Sequence, residues 1–125
     1  MKALSVRQPW AFFLINGEKS IEWRSWQTKH RGDLLICASS RRTAGIDFPD
    51  IDPAEIKRLM PLGVAIGVVS LVDVHPFGRK DISAALMEEI PDPPGFAWMI
   101  ENPRKIEPFP VKGKLHLFEV DYEIM

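Results

Sequence analysis

Apolar and polar positions along this chain switch between two periods. Ala3-Leu4-Ser5-Val6 predicts a short strand. Over residues 8–17 the period becomes helical: Trp10, Phe13, Leu14 and Gly17 fall at i, i+3, i+4 and i+7, so a short helix packs one face on a core. Pro9 suits the first turn of that helix, where a missing N–H costs nothing, and Asn16-Gly17 suits its left-handed stop. From Ile21 to Trp26 the period is two. Ile21, Trp23 and Ser25 point one way, and Glu22, Arg24 and Trp26 the other. Gly32-Asp33 then turns the chain into residues 34–39, apolar on both faces and therefore a central strand.

The second half is more broken. Residues 40–52 predict a loop, and Asp52-Pro53-Ala54-Glu55 opens a helix with Asp as N-cap and Pro at the first position, ending near Met60. Residues 64–74 form the longest strand candidate. Residues 81–90 predict a third helix, with Ile82, Ala85, Leu86 and Ile90 on one face. Residues 96–100 and 115–124 close the chain as strands, with an irregular stretch over 102–113 between them. About six strands and three short helices, with the strands not regularly separated by long helices, predict an α+β fold. Its expected form is a small, mostly antiparallel barrel with the helices packed outside.

The 125 residues suit one domain spanning 1–125 and leave no room for two. With 46% hydrophobic and 26% charged residues the chain resembles an average globular protein, which argues against disorder and coiled coil. Eleven prolines and eight glycines favour strands and turns over a helical bundle. No apolar run approaches the ~20 residues of a membrane helix, so no membrane partner is expected. Charge at Lys2 and Arg7 interrupts any signal-peptide core, and the single cysteine makes no internal bridge; a cytoplasmic location is expected. The net charge of -1 hides an asymmetry: residues 1–46 carry eight Lys/Arg against three acids, the remainder eight against fourteen. A basic half on a near-neutral chain fits either a local surface for an anion such as nucleic acid, or a charge scatter that the fold mixes.

The densest polar signal is Gly17-Glu18-Lys19-Ser20-Ile21-Glu22-Trp23-Arg24, at the junction of helix and strand. Glu22 and Arg24 share a strand face, and Lys19 precedes that strand, free to reach over its end. Such a trio can grip a phosphate or a base edge, or move a proton; equally, Glu22 and Arg24 can form an ion pair that holds a sheet edge. Elsewhere the chemistry is thin. His30, His75 and His116 lack the close spacing of a metal site, so neither metal nor cofactor is expected. Cys37 sits inside an apolar strand, where packing is favoured over nucleophilic use. Gly63 and Gly67 lack the Gly-Lys-Ser/Thr ending of a P-loop.

These residues carry a resemblance. Leu4-Ser5-Val6-Arg7-Gln8-Pro9-Trp10 followed by Gly17-x-Lys19-x-x-Glu22-x-Arg24 resembles the ASCH family, whose hallmark is G-x-K-x-x-E-x-R. Arg31-Gly32-x-Leu34-Leu35-Ile36, Gly67-x-Val69-x-Leu71-Val72-Asp73, Ala97-Trp98-x-x-Glu101-Asn102-Pro103 and residues 109–115 are similar to the family in the same order, across nearly the whole chain. The resemblance implies a PUA-like β-barrel with a cleft beside the first helix, where the hallmark residues gather.

It also implies RNA, or a nucleotide or nucleoside drawn from it, as the partner, because members of the family are mostly regarded as RNA-binding or RNA-processing domains. For binding, Lys19, Arg24, Arg31, Arg41 and Lys112 are the candidate phosphate contacts, with Arg42 and Lys114 beside them. Gln8, Glu22, Trp10, Trp26 and Trp98 are the candidates for an unpaired base, although core packing is the competing reading for each tryptophan. One branch of the family hydrolyses N4-acetylcytidine with a lysine, a threonine and a glutamate, and ribonuclease activity is attributed to another member. Carried over, Lys19 matches the lysine, so Lys19 and Glu22 are the catalytic candidates if this is a hydrolase. The threonine is replaced by Glu22, and a carboxylate nucleophile forms anhydrides rather than simple esters. Asp73 and Glu101 are candidates for the third group. The oligomeric state is not readable from the sequence.

Overall fold

The computed structural model describes residues 1–124. Six strands form one sheet: β1 (Lys2–Gln8), β2 (Ile21–Arg24), β3 (Gly32–Arg42), β4 (Val64–Pro76), β5 (Phe96–Pro110) and β6 (Phe118–Glu119). Two helices, α1 (Trp10–Asn16) and α2 (Pro53–Leu59), and a single 3₁₀ turn at Arg79–Asp81 complete the regular structure. The spatial order is β2-β5-β4-β3-β1-β6, antiparallel throughout except for β1 beside β3.

The expected closed barrel is not formed. Among the described residues β2 and β6 are edges that do not meet, so the sheet is open and mostly antiparallel. Closure would need a strand to bridge those edges. Residues 115–124, expected to form a strand, reach only β1: Lys2 pairs with Glu119 and Ala3 with Phe118, and Met1 and Val120 exchange two further hydrogen bonds.

The third helix, expected over 81–90, is also absent. The chain makes its 3₁₀ turn and then loose turns, with Leu86 in the left-handed region at φ 57°. The physical reason lies in where the backbone acceptors are used. The Ala84 carbonyl accepts the amides of Ser20 and Ile21, and the Ala85 carbonyl accepts Lys19 Nζ, so neither is left for a helical i+4 bond. Conversely, residues 102–110, expected to be irregular, continue β5. Beyond Ile100, whose amide bonds the Ser20 carbonyl, the strand has no partner on the β2 side, and edge positions are where strands tolerate Pro103, Pro108 and Pro110.

Other expectations hold. Pro9 is the N-cap of α1, and Gly17, at φ 86°, ends it in the left-handed conformation. Asp52 caps α2 by accepting the Ala54 amide. β3 is central and buried on both faces. Leu34, Ile36 and Ala38 pack under Ala11, Leu14 and Ile15 of α1, while Leu35 and Cys37 join Ala65, Val68 and Phe118 on the other side. Two apolar layers therefore clamp the sheet, and α1 is pressed against the strands that carry the polar cluster. Among the described residues no helix is long and apolar enough to cross a membrane.

Candidate functional site

Three backbone features place the hallmark residues. The left-handed turn at Gly17 lets the Lys19 amide bond back to the Phe13 carbonyl, which fixes Lys19 under the end of α1. The Ser20 and Ile21 amides are then held by the Ala84 carbonyl, and β2 pairs with β5 so that Glu22 stands opposite Trp98 and Arg24 opposite Phe96. The two-residue period does the rest. Ile21 and Trp23 pack with Phe77, Ala85 and Ala97, while Glu22 and Arg24 face the other way.

The result is a buried ionic cluster. Lys19 is 4% exposed and Glu22 7%. Lys19 Nζ donates to the Ala85 carbonyl at 2.5 Å, lies 3.7 Å from Glu22 Oε1, and stands 5.5 Å from the centre of the Trp10 ring. Arg24 meets Glu22 Oε2 through Nε at 3.1 Å and Nη2 at 2.9 Å, and Nη2 also donates to the Ser5 carbonyl at 2.7 Å. Among the described residues Arg24 Nη1 has no protein acceptor, so one face of the guanidinium is available to a ligand. Burial pushes the Lys19 ammonium below its ordinary range; the Glu22 carboxylate works against that shift and the Arg24 charge adds to it.

Glu22 and Arg24 form part of the wall of a cleft of about 850 Å³. Trp10 and Trp26 supply its aromatic surface; Ser5, Ser25, Ser39, Ser40 and Thr43 supply hydroxyls; Arg7, Lys112 and Lys114 supply cations. Trp26 is held edge-on to the buried Trp98 at 4.8 Å, and the Trp98 indole donates to the Trp26 carbonyl at 3.2 Å. A polar, cationic cleft with aromatic walls and a neutralised carboxylate can hold an anion at its rim and a flat, hydrogen-bonding group inside.

The structure brings some of the sequence candidates together and leaves others apart. Trp10, Glu22, Arg24, Trp26, Lys112 and Lys114 line the cleft. Lys19 stands behind Glu22 and is not part of the lining. Gln8 is wholly buried, with its amide spent internally: Nε2 donates to the Pro61 carbonyl and Oε1 accepts the Phe12 amide. Arg31 pairs with Asp73 at 3.8 Å and bonds the Thr28 and His30 carbonyls, away from the lining. Arg41 is exposed near the end of β3, two residues from Ser39 and from Thr43. Asp73 lies beside Arg31 and His75, and Glu101 is exposed on β5; neither borders the cleft. Trp98 is core. Cys37 is buried, and that burial pushes its thiol up to about 12.

Sequence reasoning missed Arg7, the Ser39-Ser40 pair and His116. A signal existed for the serines, since hydroxyls abruptly replace apolar residues at the end of the most apolar strand. None existed for His116, whose place depends on a long-range contact with Trp26 at 4.7 Å.

The model of the ASCH domain matches residues 4–110. Activating signal cointegrator 1 of Homo sapiens is 30% identical over 132 residues, covering 97% of this chain and 22% of that protein. The same protein of Mus musculus is 30% identical over 136 residues, with the same coverage. The chain thus spans about a fifth of the length of these relatives. The crystal structure of ASCH from Zymomonas mobilis shares the fold at a TM-score of 0.65 and 12% identity, covering 95% of this chain and 86% of that one.

Proposed function

The chain belongs to the ASCH domain family, and from that premise we propose that its cleft binds RNA, or a nucleotide or nucleoside drawn from it. The observation that carries this reading is the joining, in one cleft, of the Glu22–Arg24 pair with two tryptophans and a rim of Arg7, Lys112 and Lys114. Cations at a rim suit phosphates. A guanidinium with a free nitrogen beside a carboxylate offers adjacent donor and acceptor positions, which is what the edge of an unpaired base requires. Trp10 and Trp26 add apolar ring surface, and base stacking on such rings contributes about 1–3 kcal/mol per base. Lys19 acts from behind, balancing Glu22 and holding the cluster to the 84–85 turn.

The test is fluorescence anisotropy of a labelled single-stranded RNA across a salt series. Binding weakens as salt rises, because phosphate contacts release counterions. Arg24→Ala reduces affinity at every salt concentration while the protein remains folded. Unchanged affinity in Arg24→Ala would remove the cleft from the reading.

A second reading, hydrolysis of an RNA phosphodiester or of an N4-acylated cytosine, draws on the buried Lys19–Glu22 pair. A lysine whose pKa burial lowers, 3.7 Å from a carboxylate, can relay a proton. Incubation of labelled RNA, and separately of N4-acetylcytidine, with wild type and Lys19→Met separates the readings. Product from wild type alone supports catalysis, and intact substrate in both arms leaves the binding role.

A further inference from the structure

Leu115 is 90% exposed, the most exposed of the large apolar side chains among the described residues, and it stands at the cleft. The segment around it is not loose. On one side Gly113 is pressed against β1, where a Cβ would lie 2.7 Å from the Ser5 hydroxyl. On the other, His116 adopts a left-handed backbone at φ 60° and lays its ring against Trp26 at 4.7 Å, and Leu117 packs on the core. Lys114 and Leu115 therefore project between two anchored points. Folding does not use Leu115, and a left-handed residue without glycine's freedom is held only where its surroundings over-determine it.

We infer that this turn is a strand-engaging finger. Leu115 packs against the base next to the one seated in the cleft, and Lys112 and Lys114 take the neighbouring phosphates. The inference rests on the RNA reading of the cleft and narrows it: the ligand is an unpaired stretch of at least two nucleotides rather than a mononucleotide. The chemistry follows from the arrangement. An apolar side chain that shares the cleft rim with two lysines matches a nucleic-acid strand, whose apolar base faces alternate with phosphates. Leucine is one of the side chains that separate adjacent bases in this way. A mononucleotide seated in the cleft offers Leu115 no second base.

The experiment compares a labelled single-stranded RNA of about ten nucleotides with unlabelled cytidine monophosphate as competitor, on wild type, Leu115→Ala, Leu115→Met and Arg24→Ala. Because Leu115 is almost wholly exposed, its variants keep the fold. Leu115→Ala is expected to weaken the oligonucleotide about tenfold, equivalent to ~1.4 kcal/mol and within reach of burying part of a leucine. Mononucleotide affinity and the salt slope should stay unchanged, and Leu115→Met should restore binding. If Leu115→Ala binds the oligonucleotide like wild type while Arg24→Ala loses it, the finger is wrong and the cleft stands. Equal weakening of both ligands also overturns the finger, by making Leu115 part of the mononucleotide site. If wild type binds neither ligand, the RNA reading fails and this inference with it.

Discussion

Glu22 Oε2 receives Arg24 from one side while Glu22 Oε1 faces Lys19 from the other, so one buried carboxylate divides its charge between two cations. This balance makes Glu22 the residue whose loss should be felt most. Removing it leaves two positive groups near one another with no counter-charge, one of them almost fully buried. Glu22→Gln is expected to cost about 3 kcal/mol, the scale for breaking one partner out of a buried pair. Arg24→Ala should cost less, about 1 kcal/mol, because Arg24 is partly open to solvent and Lys19 still balances Glu22. Urea midpoints for the two variants check the order, and equal costs would contradict it.

Lys19 carries its own pH signature. Burial lowers its pKa from the ordinary 10.5, so the folded protein holds that proton less tightly than the unfolded chain does. Between the lowered value and 10.5 the unfolded state binds more protons, and stability contributed by this group rises with pH. Lys19→Met keeps most of the volume and removes the titration. The stability of wild type minus that of Lys19→Met is therefore expected to grow through the alkaline window below 10.5. Taking the difference cancels the opposite contribution of Cys37, whose raised pKa favours unfolding above 9.0 in both proteins. A difference independent of pH would show that Lys19 is not buried as described.

Asp81 supports the cluster at one remove. It accepts the Gly78 amide at 2.9 Å and His75 Nε2 at 3.0 Å, which fixes the turn whose Ala85 carbonyl holds Lys19. Burial acts to raise the Asp81 carboxyl, but the Gly78 amide and His75 outweigh it and hold it below 3.8. A depressed carboxylate contributes stability above its unfolded pKa and loses it as pH falls through the folded one. Asp81→Asn should accordingly flatten the loss of stability below about pH 3.8. At pH 7 it should also speed hydrogen exchange at the Ser20 and Ile21 amides, which are bonded to Ala84 in the same turn. Exchange unchanged at those amides would separate the Asp81 anchor from the site.

How much of this could be read from the sequence depended on range. Period-two alternation put Glu22 and Arg24 on one face, and the Gly17 stop put Lys19 beside them, because both are decided within a few residues. The central placement of β3 followed from its two apolar faces. What failed was decided at a distance. The apolar pattern of 81–90 is helical, yet its carbonyls are taken by Lys19, Ser20 and Ile21, some sixty residues away. The open sheet likewise turns on the last segment, which pairs with β1 at one edge and does not reach β2 at the other. Arg31 and Lys112 look equivalent as isolated cations, and only the fold puts one in the cleft and the other beside Asp73.

That last contrast gives a test of the cleft by charge alone. Arg31 and Lys112 each contribute one positive charge, so a protein that attracted RNA through its general field would lose affinity similarly on losing either. If binding is local, Lys112→Ala weakens it and lowers the salt slope by about 0.7, the value for one released counterion on a single strand. The double variant Lys112→Ala/Lys114→Ala should lower the slope by about twice that. Arg31→Ala should leave affinity and slope unchanged, because Arg31 lies outside the cleft lining and is paired with Asp73. Anisotropy titrations at three salt concentrations measure all four slopes. A slope that falls equally for Arg31→Ala and Lys112→Ala would mean that the strand is held by the overall field, with no defined phosphate contacts at the rim.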